Sequence, residues 1–162
     1  MISLRPEPLT VERFAPYGNV VATSGGVPSP MNEARFERFD RLAVADTDGD
    51  VAISIVRSKS GTALPYRIEM VERHPLGSQA FVPLERFRFV VVVAPPGESV
   101  DAGQLRAFVT NGNQGINYHR GTWHMPLIAL GESQSFLVID RGGADNCEQH
   151  VLEVPVTLDA PP

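Results

Sequence analysis

Short apolar runs, alternating or continuous, recur along the whole chain, and glycine, proline or asparagine closes nearly every one. That punctuation predicts many strands and few helices. Thr10-Val11-Glu12-Arg13-Phe14 offers an N-cap threonine and one turn of helix, stopped by Pro16 and Gly18 before the extended Asn19-Val20-Val21. Residues 23–30 are small and polar, a surface loop suited to a lid. A turn over residues 46–50 leads into 51–57, where Val51, Ile53 and Ile55 share one face of a strand. Residues 89–94, Phe-Val-Val-Val-Val-Ala, are continuously apolar and β-branched, as a central strand would be. Strands are also predicted over 104–110, 123–130, 134–140 and 150–156, separated by turns such as Asn111-Gly112-Asn113 and Gly142-Gly143. The expectation is an all-β fold, a single jelly-roll barrel over residues 1–162 with one or two short helical turns.

The stretch 66–74 carries the most information. Its even positions, Tyr66, Ile68, Met70, Glu72 and His74, alternate with the mostly charged Arg67, Glu69, Val71 and Arg73. The even row is therefore expected to face inward, bringing Glu72 and His74 to the end of an apolar interior. Pro75-Leu76-Gly77 provides a reversal, and residues 79–82 return, which predicts a hairpin.

Charge and composition narrow the chemistry. The net charge of −5 and the single lysine, Lys59, leave no basic patch for a nucleic acid or an anionic membrane surface. No run approaches the ~20 apolar residues of a membrane span, and the first ten residues lack the apolar core of an export signal. A single cysteine, Cys147, rules out an internal disulfide and fits a reducing cytoplasm.

Two of the four histidines lie in Tyr118-His119-Arg120-Gly121-Thr122-Trp123-His124, the densest polar block of the chain. If this piece is extended, His119 and His124 face opposite sides unless Gly121 introduces a bulge. Glu72-x-His74, then Gln79, then His119 far downstream resembles a degenerate cupin metal site. In that resemblance Glu72 stands at the first histidine's place and Gln79 at the glutamate's, with His74 and His119 as the matching types. The implied metal set is His74, His119, Glu72 and Gln79, and imidazole with carboxylate suits nickel, manganese, iron or zinc.

Three blocks, residues 72–81, 111–124 and 140–147, narrow the resemblance further. They are similar to the signature blocks of bacterial ureidoglycolate lyase, an enzyme of allantoin degradation formerly called ureidoglycolate hydrolase, and the likeness runs over nearly the whole chain. It implies a homodimeric, cupin-like enzyme cleaving (S)-ureidoglycolate to glyoxylate and urea, a carbon–nitrogen lyase of purine catabolism. It also implies an association with a divalent metal such as nickel that is not a strict requirement.

The reaction itself needs general acid–base work, a proton leaving the substrate hydroxyl and one reaching the departing urea. His119, His74 and Glu72 are the candidates for that work, with His119 as principal acid, base or ligand. Gln79, Tyr118, His124 and Arg106 are the candidates for holding substrate. Arg73, Arg106, Arg120 and Arg141 are the cations available for its carboxylate. Two other readings use the same barrel: a metal-dependent cupin oxygenase or isomerase, and a noncatalytic binding protein or sensor for a small carboxylate.

Overall fold

The computed structural model describes residues 2–162. In chain order its strands are Ile2–Leu4 (β1), Glu7–Pro8 (β2), Gly18–Val21 (β3), Ser29–Met31 (β4), Phe36–Arg38 (β5), Val51–Arg57 (β6), Tyr66–Arg73 (β7) and Gln79–Pro83 (β8). Phe89–Ala94 (β9), Arg106–Val109 (β10), Gly115–Tyr118 (β11), Trp123–His124 (β12), Ile128–Ala129 (β13), Ser135–Arg141 (β14) and Glu148–Leu158 (β15) follow. Val11–Phe14 is one helical turn (α1), and the Thr10 hydroxyl caps it by accepting from the Arg13 amide, as its sequence predicts.

The described residues form an eight-stranded sheet, β1-β15-β7-β12-β9-β10-β2 with β13 also on β9, and a five-stranded sheet, β3-β11-β8-β14-β6; β4 and β5 make a separate two-stranded ribbon. The fold is all-β and cupin-like. β9 is the central strand its composition predicts, buried along its whole length. Phe89, Val91 and Val93 face the space between the two sheets, where Phe14, Phe81, Phe108, Ile116 and Phe136 meet them. Val90, Val92 and Ala94 face a second core on the sheet's other side, covered by Val100, Leu105 and Leu152. At roughly 1.5–3 kcal/mol per buried side chain, a strand covered on both faces anchors the whole sheet.

Two expectations are corrected. Residues 66–73 and 79–83 do not form a hairpin: β7 pairs with β12 and β15, whereas β8 pairs with β11 and β14. The reversal at Pro75–Gly77 is occupied instead by residues 46–48. The Asp48 amide donates to the Leu76 carbonyl, and the Ser78 amide to the Asp46 carbonyl. With that edge filled, the chain crosses from one sheet to the other, so the turn joins the two walls of the barrel.

The even row of β7 does not keep one face either. Ile68 and Val71, of opposite parity, are both fully buried in the second core. Opposite them β15 shifts register between Val151 and Val156, and this irregularity turns the strand. Glu72, past the shift, faces the space between the sheets, while Tyr66 at the other end is 39% exposed.

A candidate active site at the polar end of the barrel

The strands that carry phenyl rings at one end of the interior carry polar groups at the other. Strand alternation accounts for this: β8 runs Gln79 then Phe81, β11 runs Ile116 then Tyr118, and β14 runs Phe136, Val138, then Asp140 on one face. From the opposite sheet β12 brings His124, paired in register with Glu72 of β7. Tyr118 and His124 meet across the interior as stacked rings, 4.3 Å apart and 14° from parallel.

The chain reaches this arrangement through a tight turn between β11 and β12. Gly121 adopts φ 76°, a left-handed conformation that glycine takes without strain. The Thr122 amide donates to the His119 carbonyl, closing the turn, while the Gly121 amide donates to His74's carbonyl and ties it to the end of β7. The turn moves the strand from one sheet to the other, so parity along an extended piece does not apply.

Both inward histidines have their tautomer set by the backbone. His74 Nδ1 donates to the Asn146 carbonyl at 2.6 Å, and His124 Nδ1 donates to the Thr122 carbonyl at 2.9 Å. A carbonyl only accepts, so each neutral ring leaves Nε2 as a bare lone pair. The two Nε2 atoms lie 3.9 Å and 3.7 Å from Glu72 Oε1. Burial lowers the His124 pKa to about 4, with His74 contributing and the bond to Thr122 opposing. Burial also raises the Tyr118 hydroxyl well above the ordinary tyrosine value, helped by the charge on Glu72, so it stays a protonated donor.

His74 Nε2, His124 Nε2 and the Tyr118 hydroxyl are buried and make no hydrogen bond among the described residues. Buried polar atoms are normally satisfied, so three together mark a place built for something else. Of the three residues His74 reaches a cavity of about 400 Å³, which Asp140, Arg141, Asp145, Asn146 and Cys147 also line. Cys147 Sγ contacts Glu72 Oε2 at 3.4 Å. The ligand atoms of Glu72, His74 and His124 all lie within 4.8 Å of one another, a spacing that fits a divalent ion.

Of the residues singled out by sequence, Glu72, His74, Gln79, Tyr118 and His124 come together at this end. His119 does not join them: it is exposed, its amide donates to the Tyr17 carbonyl, and the cluster's third donor is His124. Arg106 is exposed at the start of β10 with its guanidinium on the Leu105 carbonyl. Arg73 is held by Glu148 over the Trp123 ring, and Arg120 by Asp46 and Asp48. Arg141 donates to the carbonyls of Asp48 and Ala144 and, alone of the four, lines the cavity. Sequence reasoning missed Asp140, whose carboxylate accepts from Gln79 Nε2 at 3.0 Å. Its signal was present, since it ends the row begun by Phe136 and Val138.

A family model described as ureidoglycolate lyase matches residues 1–159. The chain belongs to the ureidoglycolate lyase family. It is 47% identical over 153 residues to the ureidoglycolate lyase of Pseudomonas aeruginosa, covering 93% of this chain and 90% of the relative. The ureidoglycolate lyase of Burkholderia mallei is 51% identical over 146 residues, covering 88% and 85% respectively, and that of Pseudomonas syringae pv. tomato is 46% identical over 157 residues, covering 94% and 92%. The family match spans every block of the polar end, from β7 through Asn146. Among the described residues no helix is long and apolar enough to cross a membrane.

Proposed function

We propose that the protein cleaves (S)-ureidoglycolate to glyoxylate and urea, a step of allantoin and purine breakdown, at the polar end of its barrel. The observation that carries the site is the convergence of His74 Nε2 and His124 Nε2 on the Glu72 carboxylate with Tyr118 stacked on His124, the two nitrogens and the Tyr118 hydroxyl being buried without a partner among the described residues. The substrate carbon bears a hydroxyl, a carboxylate and a ureido nitrogen. Glu72 takes the hydroxyl proton, and the O–H electron pair becomes the second carbon–oxygen bond of glyoxylate. The carbon–nitrogen pair leaves with the nitrogen, and protonated Glu72 returns the proton to it, so that urea departs neutral. Tyr118, kept protonated by burial, donates a hydrogen bond to the departing group. His74 Nε2 and His124 Nε2, buried acceptors without a donor among the described residues, accept from the substrate and orient it. Arg141, the guanidinium on the cavity wall, faces the substrate carboxylate.

The two Nε2 atoms and the Glu72 carboxylate would also hold a divalent ion such as nickel, which when bound supplies Lewis acidity toward the hydroxyl. This binding is weak and turnover does not depend on it, because Gln79, at the place of a cupin's carboxylate ligand, offers only a neutral amide oxygen.

The whole chain acts as one catalytic domain in a cytoplasmic homodimer. The dimer reading is supported by β6, an edge strand whose Val51, Ile53 and Ile55 are 49%, 71% and 62% exposed on one outward face. A second copy covering that row removes both an apolar patch and a bare sheet edge from water. Sedimentation of a dimer that Ile53→Asp converts to monomer is the expected result, and a wild-type monomer at micromolar concentration contradicts it.

The activity is tested by incubating the pure protein with ureidoglycolate and following glyoxylate and urea together. Equal release of both is expected, and it should survive exhaustive chelation. Ammonia with carbon dioxide would indicate amidohydrolase chemistry, and binding without turnover a sensor. Total loss on chelation, restored by one equivalent of metal, would make the ion essential.

A further inference from the structure

We propose that Gln79 and Asp140 form the device that reads the ureido end of the substrate, with Asp140 both orienting Gln79 and presenting its own free oxygen to the cavity. The inference rests on the lyase reading above and adds the specificity element to it. β8 and β14 pair with Ala80 opposite Ile139, so Gln79 and Asp140 fall on the next rung of the same ladder. Both lie on the inward face with Phe81 and Val138. Gln79 is also the cross-strand partner of Tyr118, which stacks on His124, so the pair forms the wall opposite Glu72 and His124.

The hydrogen bond between them runs from Gln79 Nε2 to Asp140 Oδ2. A carboxylate accepts and an amide has one donor end, so Asp140 decides which end of Gln79 it engages. Gln79 Oε1 and the second Asp140 oxygen are then left as acceptors with no protein donor among the described residues. Asp140 lines the 400 Å³ cavity together with His74. A ureido group, NH–CO–NH₂, presents three N–H donors against one acceptor, and an acceptor-rich wall matches its donor edge. The same wall repels a carboxylate, so substrate enters with its carboxylate toward Arg141 and its hydroxyl toward Glu72. Ordinary packing does not require this pair: Val or Leu at either position would continue the apolar rows of Phe81 and Val138.

The test compares two inhibitors. Oxalurate keeps the ureido group and the carboxylate but cannot be cleaved, whereas glycolate keeps only the hydroxyl and the carboxylate. Gln79→Leu and Asp140→Ala should each weaken oxalurate inhibition at least ~10-fold, the cost of one unsatisfied buried partner. Each should raise KM for ureidoglycolate by a similar factor with kcat changed less, and glycolate inhibition should stay as in wild type. Asp140→Asn still accepts from Gln79 but no longer forces the amide's orientation, so its effect should be intermediate. Being isosteric, it decides the matter should the larger substitutions fail to fold. Oxalurate and glycolate weakening in parallel, or oxalurate inhibition unchanged in Asp140→Asn and Gln79→Leu, would overturn the inference while leaving the lyase reading intact. A wild-type protein that neither cleaves ureidoglycolate nor binds oxalurate overturns both.

Discussion

The two ends of the barrel interior are built by the same strands and solve opposite problems. At one end Phe136 meets Phe81, Phe87 and Phe89 edge-on, with centroids 6.2, 5.0 and 5.0 Å away, and the core side chains packed there are apolar. At the other, two residues before Phe81 on β8, two after Ile116 on β11 and four after Phe136 on β14, the inward side chains are Gln79, Tyr118 and Asp140, facing Glu72 and His124. The phenyl end is satisfied by contact alone. The polar end holds buried atoms with no partner among the described residues, a cost to stability that a binding site tolerates. Stability should therefore reside mainly in the first end and turnover in the second, and substitutions should separate them.

The largest effect is expected at Phe136, which is 1% exposed. Phe136→Ala should lose about 3–5 kcal/mol in denaturant unfolding while the folded fraction keeps near wild-type kcat. Turnover falling as far as stability would show that the two ends are not separable. Next comes Glu72→Gln, which keeps shape but removes the proposed base. Its kcat should fall by at least ~10²-fold with little change in thermal unfolding. Tyr118→Phe removes one hydroxyl that has no partner among the described residues, so it should leave stability unchanged or slightly raised and slow turnover by about tenfold, near the upper end of a single hydrogen bond's worth. A destabilised Tyr118→Phe would mean that the hydroxyl serves the fold.

The smallest effect concerns the outer rim, where the hydrogen bond from Arg120 holds the Asp46 carboxyl below its ordinary value, assisted by the guanidinium charge. A carboxylate depressed in the folded state stabilises above its unfolded pKa and loses that contribution as pH falls through the folded one. Asp46→Asn should therefore lower Tm by no more than a few degrees at neutral pH, since the pair is exposed, with the gap closing in strong acid. A gap that widens toward acid contradicts the pairing.

Where local pattern decides structure, the sequence was legible. β6 and β9 fall where alternation and the continuous valine run put them, and Thr10 caps the helical turn as its identity predicts. Glu72 reaches the interior end for the reason its parity suggests, although a register shift in β15 turns the first half of β7 the other way. What a turn connects was not legible, because Pro75-Leu76-Gly77 signals a reversal without revealing that residues 46–48 already occupy the neighbouring edge. β11 was hidden behind the turn signals of residues 111–115 and by the polar Asn117, which is buried because its side chain donates to that of Asn19 from a strand nearly a hundred residues away. The histidine pair misled for a related reason. His119 sits in the polar-rich turn, and counting residues cannot show that the chain changes sheets at Gly121 and leaves His124 as the inward ring.

That last contrast offers the most direct test of the site. kcat/KM for ureidoglycolate should be measured for His124→Ala and His119→Ala beside their thermal unfolding, so that lost catalysis is separated from lost fold. The account predicts that folded His124→Ala, which loses a buried acceptor and the ring stacked on Tyr118, falls by at least ~10-fold while His119→Ala, altered at a side chain facing solvent, stays near wild type. A folded His124→Ala with full activity, beside an inactive but folded His119→Ala, would move the chemistry out of the polar end and contradict the account.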